Sequence, residues 1–191
     1  MANKAKKPRI VLTRDEMYEL NVKALQKRGV SIESIADIAY DQQSKFIKGV
    51  PYERCVESVK KILSYRDIFH YVQLAIEIDV LAEKKMLSQP LQDIIYYDLG
   101  LFGVDEIMGL DVAGTYGTIG QTNFGDIDVN KPGIVKKLND AGKDEEGICH
   151  TFLDDIVGAI AAAASTRVAQ IINEEAALEE PGIKRNNLFD K

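Results

Sequence analysis

Tryptophan is absent from this 191-residue chain, cysteine and histidine occur twice each and proline five times. Two cysteines, Cys55 and Cys149, are too few to staple a secreted disulfide scaffold and lack zinc-ligand spacing. Both are read as buried reduced thiols, and neither as a nucleophile. Basic charge is also short: 24 Lys and Arg face 30 Asp and Glu, a formal net charge of −6. That argues against binding nucleic acid by neutralising its phosphates. No uninterrupted apolar run approaches the roughly 20 residues of a membrane-spanning helix. The N-terminal MANKAKKPRI has no apolar stretch behind its basic residues, so it is no secretory signal, and a soluble, cytoplasmic chain is expected. Pro/Gly/Ser-rich linkers and fixed-period repeats are missing too, and the length suits a single core. The expected layout is a basic tail over 1–12, carrying Lys4, Lys6, Lys7 and Arg9, one helical domain over 13–180, and a C-terminal tail over 181–191. The basic tail is read as solubilising, with at most peripheral contact to a membrane.

What is present is helical. Thr13-Arg14-Asp15-Glu16 has the form of a capping box, and an apolar face through Met17, Leu20 and Leu25 follows it to Gly29. Ser31 caps a second helix, with Ile32, Ile35, Ile38 and Ala39 at helical spacing, running to Gly49. Pro51 opens a third helix, a fourth spans about Asp67 to Lys85, and Pro90 opens a short fifth. Asp105 to Val112 reads as helix, after which Gly114, Gly117, Gly120 and Gly125 predict a bend or loop. A short helix over Gly133 to Leu138 and a polar loop from Gly142 to Gly147 precede the last long helix, from about Thr151 past Ile172. Its middle, Ile156 to Ser165, is small and apolar all round, which predicts a buried, central position. The expected fold is all-α, a compact single-domain helical bundle around its C-terminal helix.

Acidic residues recur in the second half. Asp154-Asp155 sits one turn into the most apolar helix, where an uncompensated charge is costly. A helix N-terminus attracts carboxylates and accounts for one acid there, but less well for an adjacent pair. Asp105-Glu106 begins a helix in the same way, whereas Asp144 to Glu146 reads as solvated surface. Asp126-Ile127-Asp128-Val129-Asn130 is no calcium loop, because Lys131 and Lys137 stand where Gly and Glu belong. It also lacks the buried strand that precedes an aspartyl-nucleophile D-x-D motif. The glycines of Thr115 to Gly120 lack the G-K-[ST] of a phosphate loop. His150, just before the Asp154 helix, is a further candidate; His70 is read as packing or surface.

Three segments carry a resemblance. Val104-Asp105-Glu106-Ile107-Met108-Gly109, Asp128-Val129-Asn130-Lys131-Pro132 and Leu153-Asp154-Asp155-Ile156-Val157 resemble the D-E-x-x-G, D-x-x-K-P and D-D-I-V elements of the phosphatidylglycerophosphatase A family, in the same order. The resemblance covers about residues 98 to 172 and is greatest to the soluble bacterial branch. The membrane enzymes carry a G-T-x-G element ahead of the D-E element; here the only such stretch, Gly114 to Gly120, follows it. The chemistry is therefore implied more firmly than the lipid. The resemblance implies Mg²⁺-dependent hydrolysis of a phosphate monoester, with Asp105, Glu106, Asp128, Asp154 and Asp155 as the catalytic set. Glu106, Asp128 and Asp155 are assigned to the metal, Asp105 and Asp154 as further ligands or groups that orient them, and Lys131 to phosphate. The implied partner is a phosphorylated lipid or small phosphomonoester, not nucleic acid, and a homo-oligomer is compatible with it. Two other readings compete: a scaffold that kept the fold without activity, and a regulatory module in which Arg28 to Ala36 opens a helix-turn-helix.

Overall fold

The computed structural model describes residues 11–100 and 102–179, so most of the expected basic tail and the whole C-terminal tail over 181–191 lie outside the described residues. Capping sets the first two helices. α1 (Arg14–Lys27) starts at the expected box, with the Thr13 hydroxyl accepting the Glu16 N–H at 3.2 Å and the Glu16 carboxylate accepting the Thr13 N–H at 2.7 Å. α2 (Ile32–Ser44) is boxed by two serines, Ser31 and Ser34, each accepting the other's N–H, and it stops short of Gly49. α3 (Tyr52–Leu63) follows Pro51, α4 (Arg66–Glu83) lies alongside α1, and α5 (Leu91–Tyr96) follows Pro90. Then come α6 (Val104–Gly114), α7 (Gly117–Asn130), α8 (Gly133–Asp144) and α9 (Leu153–Glu179). The described residues form nine helices and no strand.

α9 is the axis of the bundle, in contact with α2, α3, α4, α6, α7 and α8. Every residue from Leu153 to Thr166 is buried, and Ala159 to Ala164 are wholly so. Alanine and glycine keep this helix thin, which lets six neighbours approach it. By length and composition α9 is the one described helix able to cross a membrane, with a mean hydropathy of 1.3, yet 72% of that apolar window is buried by the other helices. Polar partners pin the neighbours to it. Gln42 on α2 donates to Asn123 on α7, which donates in turn to Thr166, and Ser165 donates to Gln43.

The glycine-rich stretch forms a helix, where a bend or loop was expected. The chain turns at Thr115 and Tyr116, and α7 then runs antiparallel to α6 through Gly120 and Gly125. Close approach explains the glycines. A Cβ on Gly120 would lie 2.1 Å from the Ala113 carbonyl oxygen, and one on Gly109 would lie 2.4 Å from the tip of the Phe124 ring. α8 likewise runs on to Asp144, through Gly142, instead of ending at Leu138. α2, which the competing helix-turn-helix reading places within its motif, spends Ile35, Ala36, Ile38 and Ala39 on the core against α3 and α9.

Candidate metal centre

The ends of three helices meet at one cleft of roughly 270 Å³. Gly103, in the left-handed region at φ 68°, ends the preceding loop and starts α6, which places Asp105 and Glu106 in its first turn. The first turn of α9 supplies Asp154 and Asp155, and the last turn of α7 supplies Asp128. Helix N-termini favour the first four carboxylates, whereas Asp128 sits at a C-terminus, where a negative charge is disfavoured. Lys131 offsets it. This residue caps α7 with φ 42° and ψ 60°, and its ammonium donates to Asp128 at 2.7 Å, Asp154 at 2.9 Å and Asp155 at 3.2 Å.

Asp105, Glu106 and Asp155 come closer together than the rest. One carboxylate oxygen from each lies within 4.8 Å of the others, and Asp105 Oδ1 and Glu106 Oε2 are buried without a hydrogen-bond partner. At that separation, two unit charges repel by about 3 kcal/mol at an effective dielectric of about 20. Asp98 and Lys143 also line the cleft, so six carboxyls outnumber two ammoniums. Burial and crowding favour the protonated form of these acids. Burial first, then Glu106, pushes Asp105 up to about 8; burial first, then Asp154, pushes Asp155 upward. Burial also raises Asp154, against the pull of Lys131. For Lys131, burial disfavours the charge, but Asp154, Asp155 and Asp128 together lift its pKa above the ordinary value.

All five acids expected at the site line this one cleft, with Lys131 among them. The structure divides them otherwise than the sequence does: Asp105, with Glu106 and Asp155, completes the close group, while Asp128 and Asp154 face Lys131. A hard divalent cation suits the close group, because its possible ligands are all carboxylate oxygens, and two buried oxygens of Asp105 and Glu106 receive no donor. His150 is tied elsewhere. Its Nδ1 lies 3.0 Å from an Arg28 guanidinium nitrogen, and Arg28 also bonds both oxygens of Glu83 and the Cys149 carbonyl. Burial first, then Arg28, lowers His150 to about 4. Both cysteines are buried, and burial pushes each thiol up to about 11, which fits inert thiols.

Sequence reasoning passed over Asp79, which holds the start of α9 in place. Its two oxygens accept the Phe152 N–H at 3.1 Å and the Leu153 N–H at 3.0 Å, as a helix cap supplied from α4. A signal was there: Asp79 interrupts the buried stripe of Ile68, Val72, Ala75, Ile76 and Ala82. An acid in that register needs a buried partner.

Comparison with known proteins adds to this geometry. The family model for phosphatidylglycerophosphatase A matches residues 34–170. Two uncharacterized Bacillus subtilis proteins are similar along most of their length. YutG is 43% identical over 158 residues, covering 81% of this chain and 93% of that protein. YpjQ is 46% identical over 157 residues, covering 82% and 86%. Among solved structures, the low temperature requirement C protein of Listeria monocytogenes has a TM-score of 0.80 at 44% identity, covering 84% of this chain and 99% of that one. A Bacillus stearothermophilus protein of unknown function has a TM-score of 0.77 at 46% identity, covering 81% and 99%.

Proposed function

The chain belongs to the phosphatidylglycerophosphatase A family, and on that premise we propose that it is a cytoplasmic, divalent-metal-dependent phosphatase acting on a phosphate monoester. The observation that carries the reading is the close group of Asp105, Glu106 and Asp155, two of whose oxygens are buried and unpartnered. Those residues would hold the ion, with Asp128 and Asp154 beside them. When bound, Mg²⁺ or a similar hard cation supplies neutralisation of the phosphoryl charge and a lowered pKa for a coordinated water.

The side chains of the protein do the rest. Lys131 lies at the edge of the group and offers a point charge to a phosphate oxygen. Asp154 and Asp128 hold the Lys131 ammonium at the mouth of the acidic group. Hydrolysis joins the oxygen of water to phosphorus as the ester P–O bond breaks, and the proton leaves with the alcohol. A cleft of roughly 270 Å³ has room for a phosphate, and the substrate in this reading is a phosphorylated lipid or a soluble phosphomonoester.

The test is phosphate release from a panel of both kinds, phosphatidylglycerophosphate included, each with Mg²⁺ and with chelator. Release from at least one substrate that chelator abolishes is expected. No release across the panel would leave a scaffold that kept the fold.

A further inference from the structure

Lys131 is delivered to the acidic cleft by a backbone conformation that side chains other than glycine seldom adopt, φ 42° and ψ 60°. An ammonium has three N–H donors, and all three are taken, by Asp128, Asp154 and Asp155. Asp155 belongs to two groups at once. One of its oxygens accepts from Lys131, and Asp155 also completes the close group with Asp105 and Glu106. The ammonium does not serve those two residues, for Asp105 Oδ1 and Glu106 Oε2 remain unpartnered. Asp105 is only 4% exposed, and its Oδ1 is buried. The cleft thus has a cation already in place on one side and free ligand oxygens on the other, with Asp155 between them.

We infer that the Lys131 ammonium is a resident counter-ion that competes with the divalent cation for Asp155: it keeps the carboxylates assembled in the metal-free protein, lowers the affinity of the site for metal, and leaves Asp155 when metal binds. This rests on the metal-centre reading above. Two positive charges cannot share one buried carboxylate without repulsion, and the lysine has Asp128 and Asp154 to fall back on. A flexible four-carbon stem makes that small movement easy. Once off Asp155, the ammonium has a donor to spare for phosphate, so displacement by metal prepares the phosphate site.

The experiment is calorimetric titration of Mn²⁺ and Mg²⁺ into substrate-free protein, with melting curves in chelator. Lys131→Met is compared with wild type and with Lys143→Met, which removes the same charge from the same cleft but not from Asp155. The expected result is metal affinity about tenfold higher in Lys131→Met, since removing a competing positive charge relieves repulsion of the metal, and within about twofold of wild type in Lys143→Met. Lys131→Met also melts below wild type in chelator, and metal closes that gap. Equal or weaker metal binding in Lys131→Met overturns the inference. An equal gain in both variants does so too, because net charge then suffices. Should Lys131→Met not fold in chelator, the same comparison is made in an Asp154→Asn background, with the same criterion. Phosphate release by wild type with Mg²⁺, together with unchanged affinity in Lys131→Met, overturns the competition and spares the phosphatase reading. Tighter binding in Lys131→Met without phosphate release from the panel supports the competition alone.

Discussion

Replacing Asp105 by Asn removes a charge from the cleft while keeping the shape of the side chain. Asp105 is 4% exposed, its Oδ1 has no partner, and oxygens of Glu106 and Asp155 lie within 4.8 Å. Each such pair of charges repels by about 3 kcal/mol at an effective dielectric of about 20. The protein sheds part of that cost by protonation, since burial and then Glu106 push Asp105 up to about 8. An acid whose folded pKa lies above its unfolded value of about 4 favours folding in its protonated form. That stabilisation is fully present below pH 4 and drains away as pH rises toward about 8. Asparagine is neutral throughout and escapes the loss.

In chelator, Asp105→Asn should therefore be more stable than wild type at pH 8.5, by about 1 to 3 kcal/mol once the open, wet side of the cleft is allowed for. For a chain of this size each kcal/mol is worth about 2 to 4 °C of Tm. The advantage should shrink toward zero at pH 4.5. With saturating Mg²⁺ at pH 8.5 the order should reverse, because the variant has lost a ligand and gains less from RT ln(1 + [L]/Kd). Urea titrations at both pH values, with chelator and with Mg²⁺, measure all of this. An Asp105→Asn protein less stable than wild type in chelator at pH 8.5 would refute the reasoning, since the carboxylate would then be held by something other than protons or metal.

The acidic residues were legible in the sequence because they break an apolar pattern. Asp154 and Asp155 stand at the head of the buried central helix, and a buried charge there demands a partner. How the acids group was not legible. Adjacent helical residues point about 100° apart, and which of Asp105 and Glu106 faces inward depends on how α6 is rotated against α9. The structure turns both toward Asp155, and the three bonds of Lys131 draw Asp128 to the other side. The extent of α7 was hidden for a related reason. Glycine weakens a helix by its local propensity, and only the distance from Gly120 to Ala113, or from Gly109 to Phe124, shows that a side chain would collide there. Asp79 hid because the N–H groups it caps belong to residues 73 and 74 positions away. Burial of α9, by contrast, follows from composition, since Ala159 to Ala164 leave no polar face to expose.

Two further outcomes separate packing from charge. Gly120→Ala should cost at least about 1 to 3 kcal/mol by overpacking, since its Cβ would sit 2.1 Å from a backbone oxygen that cannot swing aside. A neutral result in urea unfolding would mean that α6 and α7 do not lie as close as described. His150→Gln should act through pH instead. Burial and Arg28 lower His150 to about 4, so its folded form is neutral, and the stability this gives is complete above about pH 6.5 and is lost as pH falls toward 4. Glutamine offers Arg28 an acceptor without taking a proton, so the variant should gain on wild type by up to about 1.4 kcal/mol for each pH unit below 6.5. The buried carboxyls pull the other way in the same window, but they are common to both proteins and cancel in the difference. Stability curves that run parallel from pH 7 to pH 4.5 would show that His150 is not held neutral by its contact with Arg28.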